Sequence, residues 1–200
     1  MTGPPLSWPE VFEVRSAADI VVVLDIGFGA GEALIELAEI RPDEHVIGVD
    51  VHTPGIAAVL DAIESRGLRN VRVVDGDVLD FVGRIPYGSL SAIRAFFPDP
   101  WPKQRQRGRR LIRPDVVAHL LPLLCVGGSL QLATDAADYA TQMQRVCDAH
   151  PTLRGGVVER PSWRPGTRFE QRGIDEGRSP VDLLYIASDN SPSDSSSALR

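Results

Sequence analysis

Ile20-Val21-Val22-Val23-Leu24-Asp25-Ile26 running directly into Gly27-Phe28-Gly29-Ala30-Gly31 limits the possible folds more than any other feature of the chain. Seven positions, β-branched and almost wholly apolar, read as a parallel strand buried on both faces. The glycines after it let the backbone turn tightly and approach a ligand. From Glu32 to Ile40, Leu34, Leu37 and Ala38 share one helical face. Arg41-Pro42-Asp43 breaks that pattern, and Val46 to Asp50 reads as a second strand. The unit is strand, helix, strand.

The alternation continues. Pro54 to Arg66 predicts a helix stopped by Gly67, Val71 to Val74 a strand ending near Asp75-Gly76-Asp77, and Leu90 to Phe97 a fourth strand. Pro114 is placed to open a helix through Leu124, with Pro122 bending its end. Ser129 to Thr134 reads as a fifth strand ending at Asp135, and Ala136 to Ala149 as a helix. Val157 to Glu159 and Val181 to Ile186 then read as strands on either side of a polar loop, residues 160–180, of a length that marks functional or mobile segments. The expected organisation is a short segment over residues 1–19, a domain over 20–187 and a Ser-rich, disordered tail over 188–200. Such an α/β pattern predicts an open parallel sheet covered on both faces, with its ligand site at the C-terminal strand edge. Asp25, Asp50, Asp77, Asp99 and Asp135 fall at or just beyond strand ends, so they are expected to line one rim.

The glycine register narrows the ligand. A dinucleotide fingerprint opened by Gly27 and Gly29 needs a third small residue at position 32, where the chain has Glu32, a carboxylate that would face a pyrophosphate. Gly27, Gly29 and Gly31, preceded by Asp25, instead resemble motif I of S-adenosylmethionine-dependent methyltransferases. That ligand carries an ammonium and a sulfonium, which favour nearby carboxylates. Asp50 is then placed to accept the ribose hydroxyls, or is an ordinary turn acid. Asp77 is placed to bond the adenine amino group, with Asp75 as its competitor.

The second informative stretch is Phe96-Phe97-Pro98-Asp99-Pro100-Trp101-Pro102-Lys103. Between Lys103 and Arg113 there are six cations and no acid, in a chain of formal net charge −6. A stiff polar loop beside an anion-attracting surface suits a nucleotide base and its phosphates, although a charge run alone also fits a solvated loop. Trp101 either stacks on a base or packs the loop. Lys103 is the only lysine among 21 basic residues. No run of about 18 apolar residues and no signal-peptide pattern is present, so the expectation is a cytoplasmic protein without a membrane partner. Cys125 and Cys147 read as core residues, and His45, His52, His119 and His150 share no ligand spacing, so no metal is expected.

Together with Gly48-Val49-Asp50-Val51-His52, Ala133-Thr134-Asp135 and Arg164-Pro165-Gly166-Thr167-Arg168-Phe169-Glu170-Gln171-Arg172-Gly173, these blocks resemble the tRNA (guanine-N(7)-)-methyltransferase family, in order, from about Asp25 to Ile186. The resemblance implies a Rossmann-like class I methyltransferase, with a seven-stranded, mostly parallel sheet, helices on both faces and a C-terminal antiparallel strand pair. It implies S-adenosyl-L-methionine as cofactor, tRNA as partner, and methylation of a guanine N(7) in the tRNA variable loop. By motif, Asp25, Gly27, Gly29, Gly31, Asp50, Asp77 and Asp99 would surround the cofactor, and Asp99 would be the catalytic residue. Lys103, Asp135, Thr167, Arg168, Phe169 and Glu170 would bind substrate, and Arg105, Arg107, Arg109 and Arg110 are expected to contact tRNA phosphates. The chain has Asp25 and Asp50 where the family often has glutamate, Arg168 for lysine and Pro102 for histidine. With a short stretch before Ile20, the family's N-terminal tRNA-binding extension is expected to be reduced or missing. Methylation of another nucleic acid and a non-catalytic nucleotide-binding regulator are the alternatives, and the sequence leaves monomer and homodimer both open. Guanine N(7) already presents a lone pair, so Asp99 is expected to orient and to offset charge rather than to act as a base.

Overall fold

Seven strands form one sheet in the order β3-β2-β1-β4-β5-β7-β6 in the computed structural model, which describes residues 3–15 and 20–188. The strands are β1 (Val21–Ile26), β2 (Glu44–Asp50), β3 (Val71–Asp75), β4 (Leu90–Phe96), β5 (Leu124–Thr134), β6 (Leu153–Val158) and β7 (Val181–Ala187). The first five run parallel, and β7 lies antiparallel between β5 and β6. Strand order reverses between β1 and β4, so the loops leaving these neighbours diverge and open a crevice at their C-terminal ends.

Side-chain alternation along β1 sends Val23 to one face and Val22, Leu24 and Ile26 to the other, and two apolar clusters follow. Helices α2 (Glu32–Ile40) and α3 (Thr53–Arg66) cover the first face. The second is covered by α1 (Trp8–Phe12), α4 (Val78–Phe81), α5 (Pro114–Leu120) and α6 (Ala137–Asp148). Trp8 and Phe12 are buried in that second cluster, so the segment before Ile20 contributes to the same core as the sheet. Cys147 lies there too, and both cysteines are free. No helix among the described residues is long and apolar enough to cross a membrane. The serine-rich segment falls, from Asp189 onward, outside the described residues.

Three expectations are corrected. The helix expected through Leu124 stops at Leu120, because a 3₁₀ turn at Leu121–Leu123 accommodates Pro122, which lacks an N–H. Cys125 therefore lies in β5, which starts at Leu124 and bulges through Gly127 and Gly128 before regular pairing with β4 resumes at Ser129. β6 begins at Leu153 rather than Val157, because Gly155 and Gly156 hide its pattern. A Cβ at Gly155 would meet the Leu184 carbonyl at 2.0 Å, so the two backbones approach closely there. The segment expected to be an irregular polar loop holds α7 (Arg168–Asp175). Thr167 caps this helix by accepting from Glu170 N at 3.0 Å.

Candidate active site

The crevice begins at the glycine loop. Gly27 has φ 73°, and a Cβ there would meet nothing within 4 Å, so the backbone lies open to a ligand. Gly31, with φ 82°, starts α2, where a Cβ would press on Val59 at 2.2 Å. Asp50 fastens the loop: Oδ2 accepts from Gly29 N at 2.6 Å and Oδ1 from His52 N at 2.8 Å. A carboxylate offers about four acceptor positions, so Asp50 keeps capacity for ligand hydroxyls. Asp25 lies buried beneath the loop. Burial pushes its carboxyl up from 3.8 to about 6, while Arg94, its neighbour across β1 and β4, pulls it down and Asp50 adds to the rise. Asp77 is exposed and caps α4, accepting from Leu79 N at 2.8 Å, and Asp75 is exposed beside it at the end of β3.

One strand over, the chain leaves β4 under constraint. Phe97 has φ 53° and Trp101 φ 41°, a region that residues with side chains rarely occupy and that functional loops often do. Phe97 N donates to Ala133 O at 2.8 Å, which ties the loop to β5. Between these points Asp99 is exposed, with no partner among the described residues. Arg109 lies 5.0 Å from the Trp101 ring centre, so an arginine occupies a face of that ring and Trp101 packs the loop onto the following segment.

The arginine cluster divides. Gln104–Arg109 forms a 3₁₀ helix that exposes Lys103 and Arg105 without intramolecular partners among the described residues. Arg107, exposed as well, pairs with Asp138 at 3.0 Å. Arg110 departs from expectation. It is fully buried, donating from Nε to Pro100 O at 2.7 Å, from Nη1 to Gln142 at 2.8 Å and from Nη2 to Asp138 at 2.5 Å, over the Tyr139 ring. Each of its three nitrogens is engaged and the side chain is buried, so it staples the Asp99 loop to α6 and does not reach a phosphate.

The Thr167 to Glu170 block comes to the same rim, because α7 folds back onto the glycine loop. Phe169 lies 3.2 Å from where a Gly29 Cβ would stand, Arg168 pairs with Glu32, and Gly173 packs against Asp135. Asp135 also accepts from Arg178 Nε at 2.7 Å. Phe169 and Arg168 are exposed toward the crevice mouth, whereas Thr167 and Glu170 are committed to the protein itself. Glu170 is buried and receives both terminal nitrogens of Arg164, at 2.6 and 3.0 Å. Burial works against the charge of Arg164, yet hydrogen bonds to Glu170 and Asp182 outweigh it and raise its pKa.

Sequence reasoning assigned no role to Arg94, nor to Arg164 although it opens the block that runs to Gly173. Arg94, a lone charge inside an apolar strand, bonds Gln131 at 3.0 Å and Glu44 at 2.6 Å, leaving Nη1 buried without a hydrogen-bond partner. Trp163 lies against both Arg94 and Arg41. The lone cation in β4 was the available signal. Among the described residues no three metal-type ligands converge.

A family model described as "Putative methyltransferase" matches residues 19–183. Over 185 residues the chain is 43% identical to a Ralstonia nicotianae protein named tRNA (guanine-N(7)-)-methyltransferase, covering 90% of this chain and 72% of that relative. A protein of the same name from Acidithiobacillus ferrooxidans is 47% identical over 169 residues, 82% of this chain and 74% of its own length. Among solved structures, an rRNA methylase from Streptococcus thermophilus aligns with a TM-score of 0.60 at 14% identity, covering 94% of this chain and 99% of that one, a likeness of fold alone.

Proposed function

The chain belongs to the tRNA (guanine-N(7)-)-methyltransferase family, and from that premise we propose that its sheet rim methylates N(7) of a guanine in the variable loop of tRNA, with Asp99 as the catalytic residue. One observation carries the assignment of roles. The glycine loop and the Asp99 loop leave the paired strands β1 and β4 side by side, at the point where strand order reverses.

The residues present fit S-adenosyl-L-methionine. The open backbone at Gly27 admits a ligand, and the acids Asp25, Asp50 and Asp77 suit a cationic one, while Glu32 in the first turn of α2 opposes a pyrophosphate. When bound, that cofactor supplies an electrophilic methyl group on a sulfonium. Asp50 would hold the ribose with its remaining acceptor capacity, Asp77 the adenine amino group with the oxygen not used for capping, and Asp25 the ammonium side.

Guanine N(7) attacks through its own lone pair, so no residue need remove a proton. The protein's task is alignment, and stabilisation of the positive charge that moves onto the base. Asp99, held between Pro98 and Pro100 on a strained loop, accepts the guanine N–H groups and offsets that charge. Lys103 and Arg105 hold the phosphates. Residues 20–187 form the methyltransferase domain on this reading.

Transfer of labelled methyl to bulk tRNA and to duplex DNA, by wild-type protein and Asp99→Asn, tests the proposal. Wild type should label tRNA alone. Asp99→Asn should bind cofactor nearly as well as wild type and turn over roughly two to three orders of magnitude more slowly. Near-wild-type turnover in the variant would remove Asp99 from catalysis and leave the loop as a binding element.

A further inference from the structure

The mechanism does not use Arg164, and a stable core would not require it. A buried arginine bound to carboxylates contributes little to stability compared with apolar packing of the same volume, so its presence points to a geometric role. Arg164 is 2% exposed and sits between β6 and α7. Its guanidinium grips three elements at once. Both terminal nitrogens donate to Glu170, which places α7 and with it Phe169 and Arg168 on the glycine loop. Nη2 donates to Asp182 at 3.0 Å, and Nε lies 2.5 Å from the other Asp182 oxygen as an ion pair, which anchors the group to β7. The same guanidinium lies 5.8 Å from the ring centre of Phe96 and 5.5 Å from that of Phe97, at the stem of the Asp99 loop. Arg160, 3.4 Å from Glu170, supplies the second cation for the two carboxylates.

We infer that Arg164 is a positioning residue for the methyl transfer, holding the cofactor side of the crevice and the Asp99 side at one fixed separation through Glu170, Asp182 and the Phe96–Phe97 stem. The inference rests on the function proposed above. Only a planar fork can meet two carboxylates and two rings together, so a lysine at 164 keeps the charge and loses the constraint. Misalignment of reacting groups lowers the rate of the bound complex more than it lowers binding.

The test measures kcat and both KM values on tRNA for wild type, Arg164→Lys, Asp182→Asn and the double variant. Leu153→Ala serves as the control, since it opens a cavity at the far end of the β6–β7 pair, opposite Ala187 rather than Asp182. Arg164→Lys should lower kcat by about a hundredfold and leave both KM values within about threefold. Asp182→Asn should lower kcat about tenfold, and the double variant should be no worse than Arg164→Lys, because both substitutions break one device. Leu153→Ala should melt earlier and keep its kcat. Wild-type kcat in folded Arg164→Lys, or in folded Asp182→Asn should the lysine variant not fold, overturns the inference. So do losses confined to KM, or losses that multiply in the double variant. A wild-type protein that leaves guanine N(7) unmethylated would instead refute the function itself.

Discussion

Within the crevice, Asp25 is an acid whose chemistry is strongly altered by its setting. Its carboxyl is raised to about 6 from 3.8, chiefly by burial. The unfolded chain therefore loses this proton before the folded one does. The contribution of Asp25 to stability is fully present below 3.8 and is lost as pH rises through about 6. A cationic ligand reverses the balance by favouring the carboxylate. Cofactor affinity should rise with pH through that value, being roughly tenfold weaker about one unit below it than about one unit above. Calorimetry across that range checks this, and Asp25→Asn should bind weakly with no such slope. An equal slope in the variant would assign the titration elsewhere. The acids at the rim were legible because each follows a recognisable strand. The buried arginines were not. Arg94, Arg110 and Arg164 find partners up to 50 residues away, and no local pattern records such pairings.

At the scale of elements, the arginine segment has two functions, and the difference is measurable. Lys103 and Arg105 are unpaired among the described residues, whereas Arg107 and Arg109 are engaged by Asp138 and Trp101. Changing Lys103 and Arg105 together to glutamine should reduce the salt slope of tRNA binding by about one unit, or a little less, per residue, and leave stability unchanged. Arg110→Gln should leave the slope unchanged and cost roughly 2 kcal/mol in denaturant unfolding. That figure sits below the usual cost of breaking a buried pair because Asp138 is half exposed and screened. An altered slope in Arg110→Gln would return that residue to the phosphate surface. Most helices could be read from apolar periodicity. Helix α7 could not, because its buried positions are Glu170 and Gly173, and its only sequence mark is the capping pair Thr167 and Glu170.

For the molecule as a whole, the parallel part of the sheet follows from alternation of strands and helices, and the late antiparallel strand β7 is inserted between β5 and the edge strand β6. Its insertion lets the chain between β6 and β7 return to the C-terminal rim, where α7 meets the glycine loop and Arg164 meets the Asp99 loop. The site is thus shared by segments from both halves of the chain, over a body that is acidic in total and basic at one loop. At this site the proposed nucleophile is a lone pair needing no deprotonation. The most direct measurement is single-turnover methyl transfer to two tRNA transcripts, one with guanosine and one with 7-deazaguanosine, which carries C–H in place of N(7). Transfer to the first and none to the second is expected, with both transcripts bound equally. Undiminished transfer to the 7-deazaguanosine transcript would contradict it and move the reaction to another atom.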